Sequence, residues 1–189
     1  MKILLLDNYD SFTYNLVHLV EHFDGVEVSV HRNDEFHIPD AMQYDKIILS
    51  PGPGLPGEAG ILKPLIKEMA GKKSIFGVCL GMQAMAEVFG ATLFNLEKVQ
   101  HGVSSEISVV RPEEILFRNL PRSFKTGRYH SWMVSRDGLP GSLEVTSVDA
   151  NNNIMSLRHK ELDLCGVQFH PESVLTEYGK EMMGNWIGS

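Results

Sequence analysis

From Met1 to Gly90, short uninterrupted apolar runs alternate with segments of helical periodicity, and this alternation restricts the fold more than any other feature. Ile3–Leu6 is one such run, of the kind found in strands buried on both faces. Asp7-Asn8-Tyr9-Asp10-Ser11 supplies turn and N-cap chemistry after it. Phe12, Leu16, Leu19, Val20 and Phe23 then recur at helical spacing, and Asp24-Gly25 marks the stop. Val26–Val30 and Lys46–Ser50 read as the second and third strands, a helix is expected near Ile61–Met69, and Ile75–Val78 reads as a fourth strand. Strands alternating with helices imply a parallel sheet with both faces covered.

From Ala91 to about Phe169 the pattern changes to short β-like runs at Ile107–Val110, Leu143–Val148, Ile154–Leu157 and Leu164–Phe169, separated by turns such as Asp137-Gly138 and Asn151-Asn152-Asn153. This stretch is expected to be an antiparallel extension, since no linker isolates it. A weakly amphipathic helix interrupted by Gly179 and Gly184 is expected over Thr176–Ile187. The expectation is one three-layer α/β domain over 1–189, its sheet mostly parallel with helices on both faces. The length of 189 residues and the 43% apolar content suit a single core of that size.

The string Gly77-Val78-Cys79-Leu80-Gly81 joins the fourth strand to a helix over Met82–Phe89 and has the form G-x-nucleophile-x-G. Such an elbow makes a sharp turn that lifts the central residue clear of the sheet. An isolated cysteine is more often an inert core residue, so the elbow alone decides nothing. A thiol nucleophile needs a base within hydrogen-bond reach and a group that orients the base. The apolar run at Leu164–Phe169 is followed directly by His170-Pro171-Glu172. Functional groups in parallel sheets collect beyond the carboxyl ends of strands, where both Cys79 and His170 fall. Cys79, His170 and Glu172 then read as nucleophile, general base and acid, and orienting carboxylate.

An acyl-enzyme mechanism also needs oxyanion donors. The residue after the nucleophile offers the N–H of Leu80, and the loop Ser50-Pro51-Gly52-Pro53-Gly54 offers that of Gly54. Three prolines over Ser50–Gly57 and the missing Lys-Ser/Thr ending argue against a phosphate cradle there. Gln83, one turn after Cys79, shares the thiol's side of its helix. His18-Leu19-Val20-Glu21-His22 matches a zinc-protease pattern, but it lies opposite the apolar stripe and no downstream ligand stands out, so it reads as a solvated face.

The net charge of −7, without any Lys/Arg cluster longer than a pair, excludes a basic footprint for nucleic acid or an anionic membrane. No segment approaches a membrane span. The start reaches Asp7 too early for a signal peptide, and Cys79 and Cys165 make no redox or metal pair, so the cytoplasm is expected.

Taken together, Asp7–Asn15, Ser50–Gly54, Gly77–Gln83, Tyr129-His130-Ser131 and Gly166–Ser173 resemble the class I, triad-type glutamine amidotransferases. The N-terminal Asp-Asn-Tyr-Asp-Ser-Phe string resembles the glutaminase subunits of anthranilate synthase and aminodeoxychorismate synthase. The resemblance implies that Cys79 forms a thioester with L-glutamine, while His170, assisted by Glu172, protonates the departing ammonia. It implies glutamine contacts at Gly52, Pro53, Gly54, Gln83, Ser131 and Trp132. It also implies that the partner is a chorismate-using synthase subunit, which would hold the magnesium, with no metal or other cofactor in this chain. Met82 and Trp132 depart from residues common in anthranilate relatives. The rival readings are a stand-alone hydrolase of γ-glutamyl amides and a catalytically silent interaction subunit.

Overall fold

The computed structural model describes residues 1–189, and in it the apolar runs form the parallel half of a nine-stranded sheet. The elements of the first half are β1 (Lys2–Asp7), α1 (Thr13–Glu21), β2 (Glu27–Arg32), β3 (Lys46–Leu49), α2 (Leu62–Met69), β4 (Ser74–Val78) and α3 (Leu80–Val88). The second half adds β5 (Leu93–Val109), β6 (Ser123–Val134), β7 (Leu143–Asp149), β8 (Ile154–His159), β9 (Leu164–Val167) and α4 (Gly179–Ile187). The strand order is β2-β1-β3-β4-β9-β8-β7-β5-β6, parallel from β2 to β9 and antiparallel beyond it.

Successive strand side chains point to opposite faces, so a strand covered on both sides must be apolar throughout. In β1, Ile3 and Leu5 join Leu16, Val17 and Val20 of α1 and Met182, Met183 and Trp186 of α4 in one cluster. Leu4 and Leu6 join Leu62, Leu65, Ile66 and Met69 of α2 and Ala84 and Met85 of α3 in another. All four β1 side chains are fully buried, and each such burial is worth about 1.5–3 kcal/mol. The expected three-layer α/β architecture is therefore the one observed.

Three expectations need correction. Leu164–Phe169 was expected within the antiparallel extension, but Leu164–Val167 pairs parallel with β4 (Ile75↔Leu164 to Val78↔Val167) and antiparallel with β8, joining the two halves of the sheet. Most of the β5–β6 hairpin was not expected, because its side chains are largely exposed and leave little apolar pattern. The C-terminal helix begins at Gly179 and is not broken at Gly184, where a β-carbon would stand 2.9 Å from Phe23 Cε1, so that glycine marks close helix packing. Met82 belongs to a third cluster with Ala86, Val134, Ile154 and Leu157, beneath the extension, and is fully buried. Its departure from the common residue is thus accommodated as core.

Candidate active site

Cys79 sits between β4 and α3 with φ 51° and ψ −103°, a conformation that costs a non-glycine residue about 1–3 kcal/mol. Its neighbours make the turn possible. A β-carbon on Gly77 would lie 2.6 Å from Gly81 C, and one on Gly81 would lie 2.5 Å from Leu49 O in β3. Both glycines are there because α3 starts in contact with the sheet. The N–H of Cys79 donates to Val167 O at 2.8 Å, which ties the elbow to the end of β9.

That tie explains how His170 comes near. β9 runs beside β4, so the segments leaving the two strands emerge side by side. His170 N–H donates to Gly127 O at 3.0 Å, and Thr176 Oγ1 donates to His170 O at 2.6 Å, fixing the segment against β6. His170 Nδ1 lies 2.7 Å from Glu172 Oε1, with side-chain exposures of 2% and 0%. Burial disfavours the imidazolium, but the neighbouring Cys79 and Glu172 outweigh it and raise the His170 pKa to about 10. The opposite ring nitrogen, Nε2, is buried without a hydrogen-bond partner.

A cavity of about 180 Å³ is lined by Gly52, Pro53, Gly54, Cys79, Gln83, Ser131 and Trp132, with Val99, Gln100, His101, Tyr129 and His130 completing the wall. Every residue the resemblance nominates for glutamine contact is in this set. An adjoining cavity of about 420 Å³ shares Cys79, Gly52, Pro53, His101 and Tyr129 and adds Tyr9–Phe12, Pro51 and His170. Gly54 has φ +71°, and neither its N–H nor that of Leu80 donates to another group of the chain. Asn8 braces the loop: its N–H donates to Ser50 Oγ at 2.8 Å, and its side-chain amide donates to Ser50 O at 2.9 Å. His18 lies exposed on α1 and His22 just past its end, neither lining these cavities, and His22 Nδ1 lies 2.6 Å from the His18 carbonyl oxygen.

The family model for class-I glutamine amidotransferases matches residues 4–188. This chain belongs to that family. It is 45% identical over 187 residues to aminodeoxychorismate synthase component 2 of Escherichia coli K12, with 98% of each chain covered. It is 44% identical to the aminodeoxychorismate/anthranilate synthase component 2 of Bacillus subtilis, covering 98% of this chain and 95% of that one. It is 43% identical to anthranilate synthase component 2 of Pseudomonas putida, covering 99% and 96%. Among solved structures, a Thermoplasma acidophilum protein assigned to GMP synthase superposes with a TM-score of 0.89 at 26% identity, covering 100% of this chain and 92% of that one.

Several residues of this amidotransferase site escaped the sequence reading. Phe12 and Tyr129 cover the imidazole, with ring centroids 5.6 and 4.9 Å from that of His170. Tyr129 Oη in turn lies 3.2 Å from Ser173 Oγ. Gln168 Nε2 donates to Cys79 Sγ at 3.4 Å. His130 is buried against the cavity, where Arg128 Nε donates to its Nε2 at 3.1 Å and Arg128 also pairs with Asp149 at 2.9 Å. Burial, then the Arg128 charge, lowers the His130 pKa to about 3, which keeps the ring neutral. Phe12, Tyr129, His130 and Gln168 all fall inside the strings that carry the family resemblance, the only sequence signal that touched them.

Proposed function

We propose that the chain is the glutaminase component of anthranilate synthase, releasing ammonia from L-glutamine for a separate chorismate-using synthase component. The observation that carries this reading is the buried His170–Glu172 pair beyond the end of the strand adjacent to the Cys79 elbow. In the first half-reaction, Cys79 Sγ attacks the side-chain carbonyl carbon of glutamine. The oxyanion is received by the N–H groups of Gly54 and Leu80, both without partners in the chain. His170, protonated and oriented through Nδ1 by Glu172, gives its Nε2 proton to the leaving nitrogen, and the C–N bond breaks to yield ammonia and a thioester. His170 then takes a proton from water, the hydroxide attacks the thioester, and glutamate leaves with the thiolate restored. Gly52, Pro53, Gly54, Gln83, Ser131 and Trp132 form the glutamine pocket.

None of these steps needs a cofactor in this chain, and magnesium belongs with chorismate on the partner. The reading carries a cytoplasmic location, and no helix of the chain is long and apolar enough to cross a membrane. The aminodeoxychorismate branch is the second reading, favoured by the 45% identity to the Escherichia coli component and by the Bacillus subtilis relative whose name includes both activities. The deciding experiment is reconstitution with each synthase component, measuring glutaminase turnover with and without it and identifying the aromatic product. Low turnover alone, a large rise on adding synthase and chorismate, and anthranilate as product are expected. Full turnover in the isolated chain would instead identify a stand-alone amide hydrolase.

A further inference from the structure

Gln168 is the first residue after β9, is fully buried, and takes part in no step described above. Its backbone is fixed by donation to Met155 O at 2.8 Å. Its side chain lies in a chain of three hydrogen bonds that starts at a backbone carbonyl and ends at the nucleophile. Gln83 Nε2 donates to Trp132 O at 2.8 Å and to Gln168 Oε1 at 3.1 Å. Gln168 Nε2 then donates to Cys79 Sγ at 3.4 Å.

The direction of this chain follows from chemistry. A peptide carbonyl only accepts, so the Gln83 end facing Trp132 O must be its NH₂ group. The second N–H of that group needs an acceptor, so Gln168 must turn its carbonyl toward Gln83. That leaves the Gln168 NH₂ group facing sulfur, and reversing it would set carbonyl against lone pair at Cys79 and nitrogen against nitrogen at Gln83. Gln83 thereby has both amide protons engaged and only its oxygen left to meet a ligand.

We propose that Gln168 is a positioning residue for the nucleophile: its amide N–H holds Cys79 Sγ in place and favours the thiolate, and Gln83 sets the orientation in which it does so. Hydrogen bonds to charged groups are stronger than neutral ones, so this donor stabilises the anion more than the thiol. The proposal rests on Cys79 being the nucleophile. It gives the strand-end glutamine a chemical task separate from substrate contact, and it links the Trp132 wall of the glutamine pocket to the sulfur.

The test is the rate of Cys79 alkylation by iodoacetamide, followed by mass spectrometry across pH in the full-length chain. Cys165 contributes little, because burial first and nearby carboxylates second push its thiol well above the ordinary range. Cys79→Ser gives the background. Gln168→Met keeps volume and removes the donor; its alkylation at neutral pH is expected to fall about tenfold, with the profile displaced to higher pH. Gln168→Glu sets a carboxylate against the sulfur and is expected to fall further. Gln83→Leu frees the Gln168 amide to reverse and is expected to show part of the loss, while the Gln83→Leu/Gln168→Met double variant is no slower than Gln168→Met alone. A wild-type profile in folded Gln168→Met overturns the proposal, and so does additivity in the double variant. If Gln168→Met does not fold, Gln83→Leu decides: alkylation at the wild-type rate overturns the proposal. Alkylation reads the sulfur without glutamine or synthase, so failure of the glutaminase reading in reconstitution would leave these outcomes distinct.

Discussion

Glu172 holds His170 through one 2.7 Å hydrogen bond at Nδ1, and the pair is shut away from solvent while the other ring nitrogen has no partner in the chain. A carboxylate in that place fixes the ring and favours its charged form. His170→Ala is expected to lower glutaminase turnover, measured with the synthase component present, by about 10²–10⁴-fold. Glu172→Gln should cost less, since it keeps the shape and loses only the charge. The raised His170 pKa also has a stability signature. Its contribution is complete below about 6.5 and is lost as pH rises toward about 10, so alkaline melting curves of Glu172→Gln should be flatter than those of the wild type.

Cys79→Ser separates two sources of nitrogen. Glutamine-dependent synthesis in the assembled complex should disappear, whereas synthesis from saturating ammonium should persist. Equal loss of both would make Cys79 a structural residue.

The elbow predicts its own fragility. Gly81→Ala drives a β-carbon to 2.5 Å from the Leu49 carbonyl oxygen, against backbone that cannot move aside cheaply. A loss of about 1–3 kcal/mol in urea denaturation is expected, the usual cost of overpacking. Gly57→Ala, where a β-carbon meets nothing within 4 Å, is the control and should stay near wild type.

At Gly54 a side chain meets only the flexible Glu58 carboxylate, at 2.7 Å, but φ is +71°. Gly54→Ala should therefore disturb the aim of the loop N–H more than its packing. The oxyanion exists only after attack, so kcat should fall while KM for glutamine changes little.

His130 should make the protein sensitive to mild acid. Its ring is held neutral by burial and by Arg128, so between about pH 6.5 and 3 the unfolded chain binds a proton that the folded chain does not. Stability then falls as pH drops, with a slope of up to about 1.4 kcal/mol per pH unit from this group. Denaturation midpoints between pH 6.5 and 4.5 should fall less steeply in His130→Gln.

The parallel half was legible because burial on both faces leaves few positions for a polar residue, and Ile3–Leu6 and Ile47–Leu49 announce that condition directly. The β5–β6 hairpin was not, because solvent permits almost any residue on it: Phe94, Val99 and Val103 are exposed on β5, and two irregularities in pairing break whatever alternation exists. Cys79, His170 and Glu172 stood out because functional groups of parallel sheets collect at strand ends, and Cys79 and His170 follow the neighbouring strands β4 and β9. Gln168 was hidden by its surroundings, since a glutamine within an apolar run resembles any other satisfied polar residue until its partner is seen to be sulfur.

The place of β9 between β4 and β8 has a consequence for how the molecule is made. Gln168 and Cys79 are 89 residues apart in sequence, yet they meet because β9 inserts beside β4. On the ribosome Cys79 is synthesised well before β9, and one edge of Ile75–Val78 then lacks its strand partner. That edge waits until β5 to β8 have been synthesised, a delay that favours slow closure and exposes the intermediate to wrong pairing. Cys79 and His170 are therefore brought to neighbouring strand ends only when β9 docks beside β4, so a half-made chain carries the thiol without the histidine.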